Sequence, residues 1–264
     1  MNYTSSNRLQ LNSDKTHFFI IATPQKRRTF TDNIKVKFGN DIVEESCHVR
    51  SLGVQVSNVL GGWGYQIDGG NKSVLIKCGS ILNDLQKLGK YMSFKRPLHV
   101  GKLLYMSKLL FGVEVWGPGA TKGQNNTLQS SQNKLIRWIT QKKYESPDAG
   151  RKTCNLLSVY QYIVLKILNL GLSVLHFKRP ENLYASLRGD DRSGGKIIDR
   201  PWRNILSQES YDYYQRKSWK NFFIIFYNKL PADLKSSVPR KSITKTRLKE
   251  WVRVQVPASP VTSR

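Results

Sequence analysis

The chain has 264 residues, with 43 Lys and Arg against 18 Asp and Glu, a formal net charge of +25 at neutral pH. At 39% hydrophobic residues it can bury a core, which excludes wholesale disorder, and a chain this basic is expected to meet a polyanion, nucleic acid before a membrane surface. Cys47, Cys78 and Cys154 stand far apart with no CxxC, which argues against a disulfide framework and a locally built zinc site and favours a reducing compartment, nuclear or cytoplasmic.

In chain order, the polar start MNYTSSNRLQLNSDK has no secretory pattern. His17 to Ala22 reads as a short apolar strand ending at a Thr23-Pro24 turn, followed by a basic loop, Gln25 to Arg28. Ile34-Lys35-Val36-Lys37-Phe38 alternates with period two and predicts a half-buried strand with a basic outer face. Gly39-Asn40-Asp41 turns it back through Ile42-Val43 as a hairpin. Val49 to Val56 predicts a third strand, with a bulge or close backbone approach at Gly53. The glycine-rich stretch 58–71 reads as a loop and a first boundary.

From Lys72 the period becomes helical. Val74, Lys77, Ile81, Leu85 and Leu88 predict one helix ending near Gly89. Leu98 to Phe111 predicts a second, with Pro97 at its start, an apolar side made by Leu103, Leu104, Met106, Leu109 and Leu110, and Trp116-Gly-Pro-Gly to close it. Asn125 to Thr140 predicts a third, lined by Leu128, Leu135, Ile136 and Ile139, with Lys134 and Arg137 facing elsewhere. Leu156 to Leu175 predicts a fourth, strongly apolar helix. Residues 188–201 read as a solvated linker and second boundary. An aromatic-rich tail and a short basic helix, Ile243 to Val254, follow. No window approaches the roughly 20 apolar residues of a membrane span, because Lys108, Glu114 and Lys166 interrupt the best candidates.

Several words along the chain resemble one family in order. Leu9-Gln-Leu-Asn-Ser-Asp-Lys15-Thr-His-Phe18 resembles the L-x-L-N-x-x-K-T segment of reverse transcriptases from non-LTR (LINE-type) retrotransposons, and Ser51-Leu52-Gly53-Val54 resembles their YLGV word, with Ser51 in place of Tyr. Tyr105-Met-Ser-Lys-Leu-Leu-Phe-Gly-Val-Glu-Val-Trp116-Gly117 is similar to Y-x-S-x-L-x-Y-G-x-x-x-W-G, and Leu128-Gln129-Ser-Ser-Gln132-Asn-Lys134-Leu-Ile-Arg137-Trp-Ile139 to L-Q-x-x-Q-x-K-x-x-R-x-I. Leu157-Ser158-Val159-Tyr160-Gln161 resembles W-L-S-V-x-Q, with Leu156 in place of Trp. Tyr227-Asn228-Lys229-Leu230-Pro231 and Leu248-Lys249-Glu250-Trp251-Val252 resemble the words that end the family's region.

The resemblance implies the end of a polymerase palm, a thumb and a C-terminal region. The expected fold is α+β: a small antiparallel β-unit over residues 1–60, a helical thumb-like region over 61–150 and a helical C-terminal region over 151–264. The family's polymerases hold two Mg2+ ions with carboxylates that include an adjacent Asp pair upstream of the Lys15 word, because clamping both the attacking and the leaving oxygen takes several converging carboxylates. This sequence begins a few residues before that word, so no metal site and no polymerisation are expected of these 264 residues. Asp190-Asp191 lies in the solvated linker, between Arg188-Gly189 and Arg192-Ser193, and reads as a charged loop. Lys15 matches a lysine thought to protonate leaving pyrophosphate and is here a vestigial candidate. Leu52, Gly53 and Val54 sit where the family's primer grip lies. Lys134, Arg137, Lys142 and Lys143 form the candidate backbone-binding set for RNA, DNA or their hybrid, in a stretch, 69–143, that holds 13 Lys and Arg and only Asp84 and Glu114. The rival expectations are a host-adopted nucleic-acid-binding protein without catalysis, and a decayed relic. The six Trp are expected mostly in the core, and the four His show no ligand spacing.

Overall fold

A computed structural model describes residues 16–29, 34–38, 41–59, 62–89, 91, 95–141, 146–188, 218–237 and 242–260. It is an α+β protein: two small antiparallel sheets accompany a mainly helical remainder. Packing divides it into two units, Met1–Gly70 and Asn71–Arg264. The division falls within the glycine-rich stretch 58–71 read as the first boundary, ten residues past the end given to the β-unit. Helices on either side of residue 150 pack together within the second.

In the first unit the His17–Ala22 segment is not a regular strand. It makes two isolated parallel bridges, Phe18 to Glu45 and Ala22 to Val59. The basic stretch after it is a helix, α1 (Pro24–Thr29), rather than a loop. Pro24 occupies its first position, where a missing N–H costs nothing, and Thr23 Oγ1 accepts the Lys26 N–H at 3.3 Å. Strands β1 (Lys35–Phe38) and β2 (Asp41–Glu44) form the expected hairpin, pairing Val36 with Val43. It is not half-buried: Val36 and Ile42 are exposed alongside Lys35 and Lys37.

The third strand is itself a hairpin, β3 (His48–Ser51) against β4 (Val54–Ser57), with Ser51 opposite Val54. Leu52 and Gly53, at φ of 47° and 87°, make the two-residue turn between them. Positive φ at both central positions is what such a turn demands, and it normally selects Asn-Gly or Gly-Gly. The glycine-rich stretch likewise contains a helical turn, α2 (Gly64–Ile67), which buries Gln66 and Ile67. Gln66 Oε1 accepts the Gln55 N–H at 2.8 Å and ties α2 to β4.

The second unit starts with α3 (Val74–Gly89), whose buried row is Val74, Cys78, Leu82 and Leu85, while the expected Leu88 is exposed. The next helix is not regular. It begins as α4 (Lys95–Val100), widens into a π-helical stretch over Gly101–Met106, and ends as α5 (Ser107–Leu109). The π geometry turns Tyr105, Met106 and Leu109 inward and leaves Leu103 and Leu104 outside, against the expected 3.6-residue pattern. Pro97 lies within the first turn of α4 rather than before it. A short helix α6 (Val113–Trp116) and a 3-10 turn (Gly117–Gly119) follow. Trp116 is fully buried, with its indole N–H on the Phe111 carbonyl at 2.9 Å.

Two long helices carry the core, α7 (Lys122–Thr140) and α9 (Val159–Phe177), separated by α8 (Pro147–Thr153). Each opens with a reciprocal capping box, Thr121 with Gln124 and Ser158 with Gln161. Each ends on a left-handed residue, Gln141 and Lys178. Helix α9 is central. It packs against α6, α7, α10 (Glu181–Arg188), α11 (Trp219–Asn228) and α13 (Ser242–Gln255), with α12 (Ala232–Ser236) beside α13. Gly171 is what lets α11 close on α9: a Cβ there would lie 2.3 Å from the buried Phe223 ring. With 19 residues and a mean hydropathy of 1.3, α9 is long and apolar enough to cross a membrane, contrary to the sequence expectation, since Lys166 alone does not lower the window enough. Half of that window is buried within the unit, as in the core helix of a globular domain.

Candidate nucleic-acid interface

Helix α7 presents two faces with different work to do. Leu128, Leu135, Ile136 and Ile139 are buried, as their spacing predicted. The outer row runs Lys122, Asn126, Ser130, Lys134, Arg137, all exposed, and the helix contains no Asp or Glu. At about 1.5 Å per residue the row extends over roughly 22 Å. Lys134 and Arg137 are one helical turn apart and make no ion pair among the described residues. Lys142 and Lys143, the other members of the expected set, lie outside the described residues, as do Lys15, Asp190 and Asp191. Leu52, Gly53 and Val54 belong to the first unit: Leu52 is almost fully exposed at the hairpin tip, and Val54 is buried.

The polar side chains between those two faces hold α7 in place. Gln132 is fully buried; its Nε2 donates to the Leu157 carbonyl at 2.9 Å, and its Oε1 accepts from Gln129 Nε2 at 2.8 Å. Gln129 Oε1 accepts the Val159 N–H at 2.8 Å, so the pair joins α7 to the start of α9. Tyr105 shares a 2.5 Å hydrogen bond with Ser131, and burial pushes its phenol well above the ordinary range. Gln161 Nε2 donates to the Val256 carbonyl at 2.8 Å and ties the end of α13 to α9. Arg151 on α8 is not a free cation. It pairs with Asp148, reaches Asn133 on α7 at 3.4 Å, and is partly buried, which lowers its pKa.

The sequence missed a second basic group. Lys102, within the π-helical stretch, and Arg253 on α13 both act electrostatically on Lys249 of α13, the two α13 cations meet at Asn155, and none of the three has a carboxylate partner among the described residues. Lys249 belongs to one of the family-like words, but its neighbour Lys102 comes from a distant helix, so only the fold unites them. Of the tryptophans, Trp116 is core, Trp63, Trp138, Trp219 and Trp251 are half-buried, and Trp202 is outside the described residues. No group of three or more His, Cys, Asp or Glu able to hold a metal ion occurs among the described residues. Compared with known proteins, the chain matches no family model, and no curated protein and no solved structure is detectably similar to it.

Proposed function

We propose that this chain binds nucleic-acid backbone without sequence preference, as a stretch akin to the palm end, thumb and C-terminal region of a non-LTR retrotransposon reverse transcriptase would in holding template–primer. The observation that carries the binding is the acid-free outer row of α7, where Lys134 and Arg137 stand exposed and unpaired among the described residues. Solvated cations on a rigid helix suit phosphate: each neutralised phosphate releases condensed counterions, and the energy carries no base information. The net charge of +25 adds long-range attraction for any polyanion. The family reading rests on the ordered words. Supporting it, residues in those words make the internal joints that hold α7 and α9: Tyr105, Gln129, Gln132, Ser158 and Gln161.

The test is binding of the purified chain to an RNA–DNA hybrid, titrated against salt and compared with single- and double-stranded competitors. The logarithm of the affinity should fall linearly with the logarithm of salt. Replacing Lys134, Arg137, Lys142 and Lys143 by Gln should reduce the slope by roughly 0.7–0.9 for each phosphate left without its cation. A folded chain that binds no nucleic acid at low salt refutes the binding and leaves a decayed relic.

A further inference from the structure

A cleft of about 530 Å³ opens in the second unit beside the π-helical stretch, α6 and α9. Its volume lies within the roughly 300–1,000 Å³ that seats a small ligand. Apolar and aromatic groups form the walls, among them Met106, Phe111, Leu156 and Tyr162. Phe111 is half exposed while lining the cleft.

The charge around this cleft is one-sided. Lys102 and Lys166 line it, and its one acidic residue, Glu114, is 3.8 Å from Lys166. Lys102 has no ion pair among the described residues. From α13, Lys249 Nζ donates to the Asn155 carbonyl at 3.1 Å and Arg253 donates to Asn155 Oδ1 at 2.5 Å. Asn155 immediately precedes Leu156 of the cleft wall, and its left-handed φ of 50° brings its carbonyl and side chain to these two cations. Partial burial, then the charges of Arg253 and Lys102, hold the Lys249 ammonium below its ordinary pKa. A partly buried Lys249 ammonium that meets two like charges beside the Asn155–Leu156 wall costs free energy that a bound anion would offset. Lys102 and Met106 reach the cleft from the π-helical stretch, a geometry that recurs at functional sites.

We propose that this cleft seats one nucleotide of a bound strand, with its phosphate among Lys102, Lys249 and Arg253 and its base against Phe111 and Tyr162. The proposal rests on the nucleic-acid reading above. It assigns to the cleft a stacking contact that the outer row of α7 lacks, because an aromatic face accepts any base.

The experiment uses the full chain and calorimetric titration with adenosine monophosphate, adenosine and inorganic phosphate, alongside the hybrid. The monophosphate should bind more tightly than adenosine or phosphate. Lys102→Gln with Lys249→Gln should weaken it about tenfold or more, the loss expected for two charge-assisted contacts. Phe111→Ala should weaken the monophosphate and leave phosphate unchanged, and Lys134→Gln with Arg137→Gln should leave the monophosphate unchanged. Were the double variant to unfold, Lys102→Gln alone carries the same test, since that side chain makes no ion pair among the described residues. Hybrid binding that persists with no monophosphate binding, or with a monophosphate affinity indifferent to Lys102→Gln and Phe111→Ala, overturns the cleft and spares the α7 interface. Monophosphate binding that needs Lys102, in a chain that binds no hybrid, keeps the cleft and overturns the strand reading.

Discussion

Replacing Gln132 by alanine removes a side chain with no solvent-accessible surface and two well-formed hydrogen bonds. Gln129 can keep its amide bonded to Asn133 Oδ1 at 2.9 Å, so its loss is partial. The Leu157 carbonyl loses its bond from Gln132 in the interior, and a void opens next to Met106, whose sulfur lies 3.8 Å from Gln132 Nε2. The broken bond to the Leu157 carbonyl at about 1 kcal/mol and a stranded buried acceptor at about 1–3 kcal/mol, with only a partial loss at Gln129, give a destabilisation of roughly 3 kcal/mol. For a unit of this size, each kcal/mol moves the melting temperature by about 2–4 °C, so Gln132→Ala should lower it by roughly 6–12 °C. Thermal melting followed by circular dichroism measures this directly. The neighbouring exposed Lys134→Ala should stay within about 0.5 kcal/mol of the parent. Well below its melting temperature, the Gln132 variant should keep the parental salt slope for hybrid binding, and the Lys134 variant should not. A Gln132→Ala chain that melts within about 2 °C of the parent would refute the claim that this bond pair holds α7 to α9.

Three further outcomes follow from the same structure. Gly171→Ala puts a methyl 2.3 Å from the Phe223 ring and should destabilise by about 1–3 kcal/mol, with partial rescue by Phe223→Leu in a double-mutant cycle; additive losses would show that the two do not meet. Only Cys47 is exposed, while Cys154 is buried and burial pushes the Cys78 thiol up to about 12, so one thiol of three should react quickly with a disulfide reagent under native conditions. The Arg27 guanidinium, paired with it at 2.6 Å, holds the Glu45 carboxyl below its ordinary value against the effect of burial, and the Ile20 N–H adds to it. A depressed carboxyl stabilises above the unfolded value, about 4.3, and loses that contribution as pH falls through the lower folded value; an NMR titration of the Ile20 amide with its midpoint at or above 4.3 would contradict the pairing.

The long helices were legible because their apolar residues recur at helical spacing. The 3.6-residue apolar period alone marked α7 and α9, with their starts read at Asn125 and Leu156; the capping boxes Thr121–Gln124 and Ser158–Gln161, not used in that reading, put them at Lys122 and Val159. Lys134 and Arg137 could be placed on the outer face for the same reason. The β3–β4 hairpin was hidden because Leu-Gly is an unusual pair for a turn with two positive φ values, and the flanking valines read on as one strand. In α1 the cue was present, a Thr-Pro start, but four polar and basic residues masked it. The π-helical stretch had no local signal: one extra residue per turn moves Leu103 and Leu104 outward, and the pattern on either side looks continuous. Lys102, Lys249 and Arg253 were invisible as a group because nothing in sequence spacing joins α13 to the π-helical stretch.

The family-like words sort into two kinds of residue. Tyr105, Trp116, Gln129, Gln132, Ser158 and Gln161 close hydrogen bonds inside the second unit. A partner cannot use those atoms without opening the fold. The charged residues Lys134 and Arg137 in the same words are exposed and have no carboxylate partner among the described residues, whereas Lys249 also donates to the Asn155 carbonyl. Exposed cations without a carboxylate partner in a chain of net charge +25 gain nothing for the isolated chain, since mutual repulsion opposes folding. Fold and binding are therefore carried by different side chains on the same helices. Variants of the first kind should change melting and leave the salt slope alone, and variants of the second should do the reverse. A Gln132 change that alters the slope in a folded chain, or a Lys134 change that melts it, would break that separation.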